Sequence, residues 1–234
     1  MLIRPVRARM GAGKLGAEDR QRRLDLMPMP TASSLIFRRF EERDAEQTAR
    51  LFQRQWHDDL EPRAGRLASE ATVCNYLMDT DWGLVGEVDG RLMGAVLVSR
   101  GTRGAEARGR WLERREALLA EVAPGTRFGV DVAELEAEEG ALARRYAEAG
   151  GVGSGAEIKL LIVSPDARGM GMGRRLVQAV ADHVRDTGRT GFFLITDDAC
   201  DVGFYDHLGL TRQLEEPSRA EPGLNLYVYS KELG

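Results

Sequence analysis

At 234 residues, 43% of them hydrophobic, the chain is long enough to bury one full core, and its formal net charge of -4 excludes a broadly basic surface for wrapping duplex nucleic acid. Two cysteines, Cys74 and Cys200, stand far apart and outside any Cys/His cluster, which excludes a disulfide framework and a structural zinc site and places the protein in the cytoplasm. The longest apolar runs, such as residues 92–98, are strand length and well short of a membrane span, and the first residues lack the apolar core of a secretory signal.

Residues 1–34 come first. By Arg23 they hold seven basic residues against two acidic ones, with Gly and Pro but no helical or strand period. A disordered basic extension is expected there, solvated rather than an arm for nucleic acid or membrane. Residues 35–40 read as a first strand. A helix follows over 44–56, where Asp44 and Gln47 have capping-box spacing and Thr48, Leu51, Phe52 and Trp56 share a face. A second helix is expected over 69–78 with Ser69 as its cap. Two β-rich runs, 83–88 and 91–100, flank Asp89-Gly90 and predict a hairpin. Residues 103–155 break the pattern. Trp111, Leu112, Leu118, Leu119 and Val122 suggest one helix, and Val132, Leu135, Leu142 and Tyr146 another, with Pro124-Gly125 between them. This is an inserted helical hairpin, followed by Gly150 to Gly155 as a flexible return.

The most informative stretch comes next. Glu157 opens an apolar strand that runs through Pro165 into a loop with three glycines, Gly169, Gly171 and Gly173. Leu176, Val177, Val180, Ala181 and Val184 then repeat at helical spacing up to Gly188, and 191–196 is a short apolar strand, so a parallel strand–helix–strand unit is expected. A short helix over 202–208 and a closing strand over 224–231 complete the chain. A glycine loop opening a helix leaves several main-chain amides unpaired beside a positive helix end, where anions bind. Three nucleotide folds use such loops. A Walker loop needs Gly-Lys-Ser/Thr, but Arg174 and Arg175 follow Gly173, so that option fails. A dinucleotide fingerprint starting at Gly169 would end on Arg174 instead of a small residue and would lie in the wrong half of the chain.

Arg168-Gly169-Met170-Gly171-Met172-Gly173 instead matches an Arg/Gln-x-x-Gly-x-Gly/Ala signature. With it come the helix pair, the hairpin, the parallel unit and the late Phe-Tyr-x-x-Leu-Gly-Leu segment at Phe204 to Leu210. On these residues the chain resembles the GCN5-related N-acetyltransferase (GNAT) family over residues 35–231. The resemblance implies a mixed α/β fold of α+β type, in which two parallel strands splay apart and acetyl-CoA lies in the opening. The domain would span 35–234, with 103–155 as an insertion shaping the acceptor side. Leu161, Ile162 and Val163 would offer main-chain groups to the pantetheine, and Arg168, Gly169, Met170, Gly171, Met172, Gly173 and Arg174 would hold the pyrophosphate.

Acetyl transfer to an amine needs a deprotonated nucleophile, a stabilised oxyanion and a proton for the departing thiolate. The resemblance assigns the last role to Tyr205, with the helix N-terminus expected to lower its phenol. It assigns Glu157 the role of base, although an ordinary strand carboxylate with ordered water as the base fits equally. The oxyanion donor would be a backbone N–H near Ile162 or Val163. His57, Asp58 and Asp59 would border the acceptor, and Asp197 and Asp198 either attract a cationic acceptor or cap the next helix. His183 and His207 read as surface histidines. No metal is implied, nor a nucleic-acid or membrane partner, and a homodimer is compatible with the family. The acceptor would attack the thioester directly, so Cys200 is not a nucleophile. Two alternatives stay open: a CoA-binding regulatory module without turnover, and a nicotinamide-dependent enzyme.

Overall fold

A computed structural model describes residues 35–58, 60–122 and 127–234. The expected basic extension, residues 1–34, lies outside them, as does the turn at Pro124-Gly125. Seven strands among the described residues form one mixed sheet: β1 (Leu35–Arg39), β2 (Trp82–Val88), β3 (Arg91–Ser99), β4 (Glu157–Val163), β5 (Gly191–Asp197), β6 (Thr211–Pro217) and β7 (Asn225–Glu232). Their order is β1-β2-β3-β4-β5-β7-β6. Only β4 and β5 are parallel neighbours; the other adjacent pairs run antiparallel.

The helices are α1 (Asp44–Trp56), α2 (Pro62–Asp79), α3 (Ala105–Glu121), α4 (Arg127–Glu148), α5 (Met172–Asp186) and α6 (Val202–His207). One face of the sheet is covered by α5, whose Leu176, Val177, Val180, Ala181 and Val184 enter a core with Val96, Val98, Ile158, Phe192 and Tyr229. On α1 and α2, Leu51, Phe52, Val73 and Leu77 pack with Val85, Leu97, Leu160 and Ile162 in a second core. A third forms where Leu142, Ala143 and Tyr146 of α4 meet Phe193, Leu226 and Val228. Each fully buried aliphatic or aromatic side chain here contributes about 1.5–3 kcal/mol of transfer free energy.

Four local readings are corrected. Asp44 is not the cap of α1, because the N-cap is Arg43 and makes no side-chain capping bond. Its carboxylate is instead fully buried against the Arg38 guanidinium, two hydrogen bonds of 2.7 Å, and accepts the Glu41 amide at 2.8 Å. Ser69 caps nothing either. Helix α2 begins seven residues earlier at Pro62, with Glu61 accepting the amides of Arg63 and Ala64. Proline fits the first helical position, where no amide is needed, so this start outcompetes a cap at Ser69. The buried Ser69 hydroxyl donates back to the Gly65 carbonyl at 2.7 Å and meets His57 Nδ1 at 2.8 Å. The glycine run after α4 is packed rather than free: Cβ atoms at Gly151 and Gly153 would overlap Tyr146 and the Phe192 backbone. His183 is no surface residue, since it stacks on Trp82 at 4.4 Å and 9°.

The Arg38–Asp44 pair ties β1 to α1, and Arg38 also reaches Glu87 on β2 at 2.7 Å. Burial raises the Asp44 carboxyl, but the bonds from Arg38 and the Glu41 amide outweigh it and hold the group below its ordinary range. Its stabilisation is therefore present above the unfolded carboxylate pKa and is lost as pH falls through the folded value. Asp44→Ala, which strands Arg38, is expected to lower unfolding free energy by about 3 kcal/mol at neutral pH in urea titrations, with the deficit shrinking in acid.

Candidate active site

Strands β4 and β5 pair only at Glu157 with Phe193 and at Ile158 with Leu194. Beyond Ile158 they part. β4 continues along β3 as far as Val163, while β5 continues along β7 as far as Asp197. In the antiparallel β3–β4 ladder the Ser164 amide donates to Met93 O at 2.7 Å, so by alternation Ile162 also turns its main-chain groups toward β3. Leu161 and Val163 therefore turn theirs into the opening. The expected oxyanion donor narrows to Val163 on that ground.

At the far end of β4, Ser164 accepts the Asp166 amide and starts a single 3-10 turn, Pro165–Ala167. The amides of Arg168 and Met170 are used locally, by Pro165 O at 3.2 Å and Ala167 O at 3.3 Å. Those of Gly169, Gly171, Met172, Gly173 and Arg174 have no acceptor among the described residues. They gather at the N-terminus of α5, where the helix dipole adds positive potential. Gly171 caps the helix at φ +72°, a left-handed conformation that disfavours any side chain, and a Cβ there would meet open space. Gly173 serves close approach: its Cβ would stand 2.9 Å from Phe204 on α6. Met172 is anchored in the other direction, its side chain pressed on Gly86 and Gly94 of the hairpin. Arg168 and Arg174 are exposed and engage no carboxylate among the described residues.

Across the opening, α6 presents Tyr205 beside Phe204 and Tyr229, ring centroids 5.5 Å away in each case. Burial, and then nearby Cys200 and Asp197, push the Tyr205 phenol well above its ordinary value. The expectation that the helix end lowers it is overturned: desolvation favours the neutral phenol more than a two-turn helix favours its anion. Glu157 lies at the mouth of the parallel pair with its carboxylate 2.8 Å from Lys159 Nζ. Glu136 and Glu139 of α4 and Tyr76 of α2 are desolvated and electrostatically coupled, Glu139 and Tyr76 to Asp197 and both to Glu136. The Cys200 thiol is pushed up to about 12 by burial and by Asp197, which makes it inert as a nucleophile at neutral pH.

Residues 138–233 match the model of the acetyltransferase (GNAT) domain. Over that stretch the chain is similar to GNAT acetyltransferase domains. No curated protein sequence matches it. Among solved structures, the polyamine N-acetyltransferase of Drosophila melanogaster, which forms N-acetylagmatine, superposes at TM-score 0.53 and 18% identity over 86% of this chain and 100% of its own. Ard1 of Thermoplasma volcanium gives 0.52 and 16% over 86% and 98%. An aminoglycoside 6'-N-acetyltransferase complexed with coenzyme A gives 0.51 and 14% over 84% and 96%. At these identities the likeness is one of fold.

The loop residues 168–174 and the strand residues Leu161, Ile162 and Val163 border one opening, with Tyr205 on its other wall. The capping reading of Asp197 and Asp198 fails. Asp197 accepts the amides of Ala199 and Cys200 and Asp198 accepts Asn225 Nδ2, so neither caps α6, whose N-cap is Asp201 without a capping bond. His57 is buried against Ser69, Asp58 is exposed and Asp59 lies outside the described residues. His207 is exposed, its Nδ1 against the Gly203 carbonyl. Among the described residues no group of acidic, Cys or His side chains could hold a metal ion, and no helix is long and apolar enough to cross a membrane. A cavity of about 280 Å³ beside Arg39, Trp82, Arg103 and Trp111 shares no residue with the opening.

Sequence reasoning missed Glu136, Glu139 and Tyr76. One signal was present, since Leu135, Glu139, Leu142 and Tyr146 fall at helical spacing and set a carboxylate within an apolar stripe. Gly171→Ala is expected to lower the unfolding free energy by about 1–2 kcal/mol through left-handed strain alone, read as a lower melting temperature with unchanged near-ultraviolet circular dichroism.

Proposed function

We propose that this domain moves the acetyl group of acetyl-CoA directly onto a primary amine. The observation that carries the reading is the row of unpaired amides at Gly169 and Gly171 to Arg174, set at the end of a strand whose neighbour has left it. A diphosphate fits that chemistry: successive N–H donors converge at a helix N-terminus, Gly171 leaves room for close approach, and Arg168 and Arg174 add charge. Two fold neighbours, an aminoglycoside 6'-N-acetyltransferase complexed with coenzyme A and a polyamine N-acetyltransferase, support the same assignment.

From the loop, an extended pantetheine would run along β4, its amides answered by the main-chain groups of Leu161 and Val163 that β5 leaves unpaired. The thioester then comes to lie between β4 and Tyr205. The amine lone pair attacks the carbonyl carbon, the Val163 amide stabilises the oxyanion, and the carbon–sulfur bond breaks as the carbon–nitrogen bond is retained. Tyr205 stays protonated at neutral pH and donates to the sulfur. Between an ordinary phenol near ~10 and an ordinary thiol near ~8.5 this transfer is uphill by about 2 kcal/mol. Burial raises the phenol further, and a sulfur departing beside it would meet the same desolvation.

Release of free thiol from acetyl-CoA with a panel of amines tests the activity, and calorimetry tests uptake of the coenzyme. Tyr205→Phe is expected to lower kcat by about 10²-fold while leaving the affinity for acetyl-CoA intact. Gly171→Ala is expected to weaken coenzyme binding by at least about tenfold, the effect of losing one well-placed charge-assisted bond. Binding of coenzyme without turnover on any amine would favour a regulatory module instead.

A further inference from the structure

We propose that Glu139, carried on the inserted helix α4, takes the proton from the ammonium group of the acceptor. This assignment rests on the acetyltransferase reading above and adds a catalytic residue to it.

Placement is the first argument. Leu142 and Tyr146 fix α4 on Phe193, and Leu135 packs with Ile195 into the same cluster, so Glu139 between them is held over β5 where that strand separates from β4. An acceptor approaching the thioester passes this carboxylate. Availability is the second. Glu139 makes no hydrogen bond or ion pair among the described residues, whereas every neighbouring carboxylate is engaged: Glu157 by Lys159 at 2.8 Å, Glu136 by Arg115 at 2.6 Å, and Asp197 by the amides of Ala199 and Cys200. Glu157 therefore already has its cation, and Glu139 is the acid left to receive one.

The groups facing Glu139 are Glu136 on its own helix, Tyr76 on α2, Glu157 and Lys159 on β4, and Asp197 on β5. Burial and the repulsion of Asp197 and Glu136 push its carboxyl up to about 8, with Lys159 acting the other way. A base poised there suits an alkyl ammonium at neutral pH. The carboxylate takes one proton from the ammonium group, freeing the lone pair that forms the carbon–nitrogen bond as the carbon–sulfur bond breaks. The surplus proton on the acetylated nitrogen balances the one Tyr205 gives to sulfur, and Glu139 returns its proton to solvent between turnovers.

The test is the pH profile of kcat/KM for acetyl transfer to the best amine of the panel. The wild-type protein should show an acid limb near pH 8. Glu139→Gln should abolish that limb and lower kcat/KM by about 10²–10³-fold, with unchanged acetyl-CoA affinity. Its melting temperature at neutral pH should not fall, because a carboxyl with no hydrogen-bond partner among the described residues is replaced by a neutral amide of the same shape. The raised carboxyl favours the fold below its unfolded pKa, and that contribution is lost as pH rises through about 8 in the wild type but not in the variant. Glu157→Gln should retain the limb at lower pH, since a negative neighbour is lost and Lys159 is freed. A limb that persists in Glu139→Gln, or one that vanishes in Glu157→Gln, overturns the proposal. If the wild type takes up coenzyme A but acetylates no amine, the acetyltransferase reading fails separately. The Glu139 carboxyl is then followed by carbon-13 resonance, as the difference between wild type and Glu139→Gln, and a midpoint in the ordinary carboxylate range overturns its assignment as a poised base.

Discussion

The site depends on one interruption of hydrogen bonding: β4 and β5 stay paired for two residues and then separate. Each strand is committed elsewhere, β4 to β3 and β5 to β7, so neither can follow the other without breaking an existing ladder. The separation exposes main-chain donors and acceptors on β4 that would otherwise be consumed. Main-chain amides left without a protein partner at a helix N-terminus carry positive partial charge, and a set of them converging beside an open strand is where an anionic ligand binds.

Around that opening the chain assembles opposite electrostatic characters. The loop side is positive, through five free amides, Arg168 and Arg174. The side covered by α4 is acidic, lined by the carboxyl groups of Glu136, Glu139, Glu157 and Asp197, with Lys159 and Arg115 beside them. A molecule with an anionic head and a neutral reactive end fits the first, and a cationic amine fits the second. Tyr205 stands where the two meet, kept neutral by burial.

Helices α3 and α4 join the fold by specific means rather than by hanging from it. Arg115 bonds Glu136 across the pair, Glu138 accepts the amides of Arg219 and Ala220 and the Ser218 hydroxyl, and Tyr146 donates to Val152 O at 2.9 Å. These bonds explain why the glycines after α4 are packed: Gly153 lies against the Phe192 backbone and Gly151 against Tyr146, so small residues there serve contact, not freedom.

Periodicity in the sequence determined the hairpin at Asp89-Gly90, the apolar stripe of α5, the paired helices after residue 103 and the glycine loop, because each is written in local spacing and each obeys short-range sterics. It did not reveal β6, whose TRQLEEP is polar and ends in proline, since an exposed edge strand needs no apolar alternation. It misplaced the start of α2 and the role of Asp44, because proline at a first turn and an arginine partner for a buried carboxylate compete with a capping pattern that looks equally good in one dimension. Tertiary structure alone decided where the parallel strands part, that Glu157 pairs with Lys159, and that Glu139, distant in sequence from the loop, comes near Asp197 and Lys159. The physical reason is that local geometry sets which amides lack partners within a turn, whereas the environment of a carboxylate is set by whichever elements happen to pack beside it.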